Sequence, residues 1–347
     1  MKLFNLPIKF DYLISIATLF YIIFVFINFT HNSFDPYKKI NFELSTEQEI
    51  FVKSEGLSFK KEISKKLASE EPYINILTRE CEITGHTHDR HKVRWVKALI
   101  LKNIFKKAYE LNNYAPYYLH ILLHSFIIFF SLLLINKTFS VNKKYIYVFL
   151  LYVTFLFQQH LGEYSYSIFE MFFLSLSLYA SKNKNYFLFL SSCVLAILNR
   201  ESGFIILLTW LVFNNFEYKQ FLSFVFLTLI SFIMINYDIL ECLFNPRFFV
   251  PLKYIEGHIN FSDLMNMNFF SAIKILSINY ILPFGLGMYF YFYSTVKNKF
   301  LLLLFLIYLM TFLFAAPFNQ PSTRIILLPL IFCAIYFYKS EKVLDKS

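Results

Sequence analysis

"LAILNRESGFI" (195–205) is the stretch on which the fold turns. It sits inside an almost wholly apolar run, 186–213, yet carries Arg200 and Glu201 near the middle. A charge at the centre of a bilayer costs at least ~2.5–3.5 kcal/mol on insertion scales. So either two charges lie deep in a membrane, or the run is not one helix.

Composition makes the membrane the relevant solvent. The chain has 347 residues, 57% of them hydrophobic and only 16% charged, below the roughly 25% charged of soluble domains. It holds 46 Phe and 25 Tyr but only 7 Gly. Apolar runs long enough to span a bilayer recur along it. These features predict an all-α, polytopic integral membrane bundle, one domain over 1–347. The net charge of +10 reads as lysines capping membrane helices on the cytoplasmic side, not as a nucleic-acid surface. The first apolar run, 12–29, follows Lys2 and Lys9 and lacks a small-residue cleavage site. It reads as an uncleaved first helix.

About ten membrane segments are expected, at 12–29, 117–136, 145–158, 164–180, 186–198, 203–214, 221–237, 276–295, 300–316 and 325–338. Three long runs are broken by "QQHLGE" (158–163), "NRES" (199–202) and "PFNQPSTR" (317–324). Lysines pinch each run at both ends: Lys143 and Lys182, Lys184 and Lys219, Lys299 and Lys339. If each run is a hairpin, every short lysine-bearing loop is cytoplasmic, as are both termini. The polar breaks then face outward. The arms are short, since 13 residues span only ~20 Å. The elbows therefore sit in a pit below the outer surface, lined by protein or water.

Two long segments, 30–116 and 238–275, also face outward in this topology. In the first, "STEQEIF" (45–51) starts like a capping box, and 60–71 reads as a charged helix. Residues 92–111 read as an amphipathic helix lying in the interface plane near anionic headgroups, with Trp95, Leu99 and Phe105 on its apolar side. The second segment holds one or two short helices. Of the four cysteines, Cys193 and Cys333 lie in apolar runs, and a Cys81–Cys242 disulfide is an open pairing.

The unusual polar groups then collect at the outer face. "TGHTHDRHKVR" (84–94) holds His86, His88 and Asp89. Asp89 is a general base or a metal ligand, with His86 or His88 beside it, or else the N-cap of a helix starting near Arg90. His120 and His124 share a helix face and read as packing histidines. Glu163 sits in the first break and can orient an arginine, a histidine or a sugar hydroxyl. Arg200 and Glu201 are either an ion pair closing the elbow or a phosphate site, since guanidinium offers a planar fork to phosphate oxygens. Arg324, in the third break, offers a second fork.

This pattern resembles the GT-C superfamily of polytopic glycosyltransferases. The residues that carry the resemblance are Asp89 in the first outer loop and the elbows "NRES" and "PFNQPSTR". It implies transfer of a sugar from a polyprenyl-phosphate donor to a hydroxyl of a glycan, lipid or protein acceptor, on the extracytoplasmic face of a bacterial inner membrane. Asp89 would be catalytic. His86, His88, Glu163, Arg200, Glu201 and Arg324 would bind substrate. A divalent cation stays an open cofactor, with no ligand set assigned. The chain departs from the family pattern in that Asp89 is flanked by His88 and Arg90 instead of a second acid. The alternatives from other classes are a transporter or flippase of a lipid-linked sugar, and a non-catalytic membrane assembly subunit.

Overall fold

The computed structural model describes residues 16–24, 27, 61, 64, 65, 68, 94–139, 165–214, 217–245, 261–277, 281–293 and 298–315. Among these the secondary structure is entirely helical. The expected segments 145–158 and 325–338 and the capping box at Ser45 lie outside the described residues. In the expected charged helix at 60–71, residues 61, 64, 65 and 68 are helical.

Helix α1 covers 16–24. Helix α2, Trp95–Ile100, runs through a π turn, Leu101–Phe105, into α3, Lys106–Leu111. Next come α4, Ala115–Phe139, α5, Ser165–Lys182, and α6, Tyr186–Asn199. A 3-10 stretch, Glu201–Leu208, leads into α7, Thr209–Phe213. After α8, Tyr218–Ile235, there are short helices α9, Leu240–Leu243, α10, Phe261–Asn266, and α11, Phe269–Leu276. The described chain closes with α12, Leu282–Tyr293, and α13, Lys299–Ala315. Within the expected segment 276–295, residues 277 and 281, between α11 and α12, are π-helical, and 278–280 lie outside the described residues. Two described helices, Ala115–Phe139 and Tyr218–Ile235, are long and apolar enough to cross a membrane.

Asparagines do much of the capping. Asn185 Oδ1 accepts the Leu188 N–H at the start of α6, at 3.0 Å. Asn298 Oδ1 accepts from Phe300 and Leu301 at 3.0 and 3.1 Å. Helix α5 ends in a Schellman turn: Asn185 N–H bonds Ala180 O at 2.9 Å, and Lys184 N–H bonds Ser181 O at 3.1 Å. The turn requires a left-handed residue, and here Lys184, at φ 50°, supplies it.

The central helix, α5, is buried on most sides. Its small residues Ser175, Ser177, Ala180 and Ser181 are fully buried and let neighbouring backbones approach, as polar and small residues do in membrane bundles. Thr209 Oγ1 donates to Ser177 Oγ at 3.0 Å. Ser181 Oγ donates to Thr209 O at 3.0 Å, and Asn214 Nδ2 donates to Ser181 O at 3.1 Å. Beside this polar seam, Trp210 packs on Tyr186, Phe189 and Phe224, with ring centroids 5.3, 5.0 and 4.8 Å away.

These contacts show that the run 186–213 folds back on itself. Its two outer ends meet: Lys184, before α6, pairs with Glu217, after α7, at 2.5 Å. Glu217 raises the Lys184 pKa through that hydrogen bond and its charge. Lys182 Nζ donates to Thr138 O at the end of α4, and Asn298 Nδ2 donates to Val212 O at 2.6 Å. Lys137, Lys182, Lys184, Lys219 and Lys299, all exposed, therefore gather at one end of the bundle. Arg200 and Glu201 lie at the other.

Candidate functional site

The elbow is built from residues 199–203. Helix α6 stops where Arg200 adopts an extended conformation, φ −164° and ψ 145°. The chain then tightens into the 3-10 stretch. Gly203 makes this turn possible, because a Cβ there would lie 2.3 Å from the Ala196 carbonyl carbon and 2.5 Å from the Ile197 nitrogen. Only a residue without a side chain brings the returning arm that close to α6.

Glu201 is held by Arg94, 107 residues earlier in the chain. Arg94 Nε and Nη2 each donate to Glu201 Oε1 at 3.1 Å, and Nη2 also donates to Oε2 at 3.0 Å. The Arg94 side chain is 5% exposed and that of Glu201 30%. Burial pushes the Glu201 carboxyl pKa up. The Arg94 charge and its fork outweigh that, with a smaller pull from Arg200, and hold the group below the ordinary glutamate range. The fork on Glu201 is thus made by Arg94, beside the weaker pull of the neighbouring Arg200. Arg200 itself is half-buried at the turn.

Two more contacts fasten the segment before α4 to this end. Trp95 Nε1 donates to Asn236 Oδ1, 3.1 Å away at the end of α8. Ser64 Oγ accepts the Tyr117 N–H at 3.1 Å, occupying a donor that the first turn of α4 leaves open. Beneath the elbow, Ser202 Oγ donates to Glu170 Oε1 of α5 at 3.0 Å. His120 and His124 share a buried face of α4, their ring centroids 4.0 Å apart. His124 Nδ1 lies 2.7 Å from His120 O and must be the donor, since a carbonyl only accepts. Phe105 and Phe169 flank the two rings at 6.2 and 6.1 Å. They are packing histidines, as the spacing predicts.

Of the residues singled out from sequence, the structure describes Arg200 and Glu201. Asp89, His86, His88, Glu163 and Arg324 lie outside the described residues. The described helix nearest this stretch begins at Trp95, with Arg94 non-helical before it. Arg94 was present in the sequence only as the last residue of "TGHTHDRHKVR"; nothing local marks its partner. Among the described residues no group of three or more His, Cys, Asp or Glu side chains can hold a metal ion. Cys193 is free and buried, whereas Cys242 of α9 is disulfide-bonded. Cys81 lies outside the described residues.

Comparison with known proteins adds one partial likeness. A family model described as the tumour necrosis factor receptor SECRET domain matches residues 12–113. The match covers less than a third of the chain and ends before α4, so it takes in Arg94 but not the elbow that Arg94 binds. No curated protein and no solved structure matches the chain.

Proposed function

We propose that the chain is a membrane glycosyltransferase of the GT-C type, moving a sugar from a polyprenyl-phosphate donor to an acceptor hydroxyl on the extracytoplasmic side. The observation that carries this reading is the Arg94–Glu201 fork. Arg94 ends the stretch that holds His86, His88 and Asp89, five residues after the aspartate. The fork therefore supports a single site made from the first outer loop and the elbow, with Asp89 within a few residues' reach of Arg200.

The orientation has two supports. The exposed lysines gather at the end opposite the elbow, which fits a cytoplasmic lysine end. Cys242 follows Asn236, at the elbow end, and is disulfide-bonded; disulfides persist in oxidising compartments such as the bacterial periplasm. The full arrangement is then a bundle of about ten segments in a bacterial inner membrane, with both termini cytoplasmic.

In this mechanism Arg200 and Arg324 hold the donor phosphate. Charge grows on that phosphate as the bond to the sugar breaks, and preorganised cations favour the change. The sugar passes through an oxocarbenium-like state. Asp89 takes the proton of the acceptor hydroxyl as that oxygen bonds to the sugar.

The test is complementation of a deletion strain, with surface glycans read by mass spectrometry. Arg200→Lys keeps the charge but loses the fork, and is expected to lower transfer about tenfold or more, the size of ~1.4 kcal/mol. Asp89→Asn is expected to do the same at nearly constant shape. Wild-type glycans from both variants at matched protein levels would remove the catalytic assignment and favour an assembly subunit.

A further inference from the structure

Glu170 is the buried acidic residue that the mechanism above leaves unused. It is 1% exposed, in the second turn of α5, a helix covered by α4, α6 and the returning arm. A carboxylate in such a place is costly unless it is hydrogen-bonded, and ionisable groups inside membrane bundles mark functional sites by default. Ser202, two residues after Arg200, donates its hydroxyl to Glu170 Oε1 at 3.0 Å.

The three residues that follow Arg200 are each held from a different direction. Glu201 is gripped by Arg94 at the start of α2. Ser202 is tied to Glu170 on α5. Gly203 rests against the α6 backbone at Ala196 and Ile197. The Arg200 backbone is fixed as well: its N–H bonds Ala196 O at 2.9 Å and its carbonyl accepts the Gly203 N–H at 2.8 Å. The Ser202 hydroxyl joins the turn directly to the Glu170 side chain, so a change at either end of that hydrogen bond loosens the turn.

We propose that Glu170 is a positioning residue for the Arg200 anion site, acting through the Ser202 hydroxyl. The proposal rests on the reading of Arg200 as the phosphate-binding group. Glu170 takes no part in bond making. It sets where the Arg200 fork points, and so how well a phosphate monoester on a polyprenyl chain fits the elbow.

The experiment uses the full chain in lipid nanodiscs, with polyprenyl phosphate carrying no sugar as the probe. Affinity and thermal unfolding are measured for wild type, Glu170→Gln, Ser202→Ala, the double variant and Arg200→Lys. Glu170→Gln and Ser202→Ala should each weaken binding about fivefold, the scale of one hydrogen bond, with unfolding temperatures close to wild type. The double variant should be no weaker than either single one, because both remove the same contact. Ser202→Thr, which keeps the hydroxyl, should bind like wild type. If Glu170→Gln misfolds, Ser202→Ala still decides the matter, since it leaves the carboxylate in place. Wild-type affinity in Ser202→Ala beside lost affinity in Arg200→Lys would overturn the role of Glu170 alone. Wild-type affinity in Arg200→Lys would overturn the phosphate reading and this proposal with it.

Discussion

Trp95 reaches from the first turn of α2 to Asn236 at the end of α8, and its indole N–H donates to Oδ1 at 3.1 Å. Asn236 is fully buried and also donates its amide to Phe232 O at 2.8 Å. Together with the Arg94 fork, this ties two consecutive residues at the start of α2 to two different parts of the bundle. The start of α2 is therefore a fixed point.

The fork makes Arg94 and Glu201 energetically inseparable. Arg94→Ala or Glu201→Leu alone leaves one charge buried without its partner, a loss of about 3–5 kcal/mol. The double change Arg94→Met with Glu201→Leu should recover most of it, because a well-packed apolar pair often replaces a buried ion pair. Thermal unfolding in detergent, run on both singles and the double, checks this. Additive losses would show that the two residues act independently.

Acid should loosen the same contact. The folded Glu201 carboxyl titrates below its ordinary range, so its contribution is fully present above the usual glutamate pKa of about 4.3. It is lost as pH falls through the lower, folded value. Wild type should lose unfolding temperature across that acid window, and Glu201→Gln should lose less. Parallel curves for the two proteins would contradict the linkage.

Gly203 should tolerate no side chain. Gly203→Ala places a methyl 2.3 Å from the Ala196 carbonyl carbon, and backbone cannot swing aside as a flexible side chain would. The expected cost is about 1–3 kcal/mol, seen as a lower unfolding temperature and a lower yield in membranes. An unchanged Gly203→Ala protein would mean that the two arms are further apart.

Accessibility separates the two ends of the bundle. Single cysteines at 199–202 and 319–323 should react with an impermeant maleimide on whole cells. Those at 182–184 and 297–299 should react only after permeabilisation. Cytoplasmic labelling at 199–202 would invert the topology and end the donor-phosphate reading.

The α2–α3 segment should meet lipid directly. Leu99 and Ile104 are 44% and 43% exposed, beside exposed Lys106 and Lys107. Spin labels at 99 and 104 should sit about 5–10 Å into the headgroup and acyl boundary. Labels reporting bulk water at both sites would remove the interfacial placement.

Much of this architecture could be read from sequence because charge placement and hydropathy are local signals. The lysine pairs around 186–213 marked a hairpin, and the Lys184–Glu217 contact closes it. The helices at 117–136, 164–180, 186–198 and 300–316 lie where the apolar runs put them. The 3-10 winding of Glu201–Leu208 was not legible, since "ESGFIILL" is almost uniformly apolar and has no periodicity to distinguish tight from ordinary turns. Nor was the Arg94 fork: nothing local in the sequence signals that a residue 107 positions away grips the Glu201 carboxylate. Asparagines drew no attention as caps, because their work depends on a backbone geometry that exists only in the folded chain.

The π turn at Leu101–Phe105 amounts to one surplus residue stored inside a helix. Upstream of it, Val96 and Ile100 are half-buried; at its end Phe105 is 3% exposed and packs on His120. Without the surplus, everything after Ile100 would turn by about 100° on a 3.6-residue helix. Phe105 would leave its pocket and the lysines at 106 and 107 would rotate towards the bundle. A single deletion at Asn103 would therefore give a straighter and intrinsically better helix that no longer matches both of its docking surfaces.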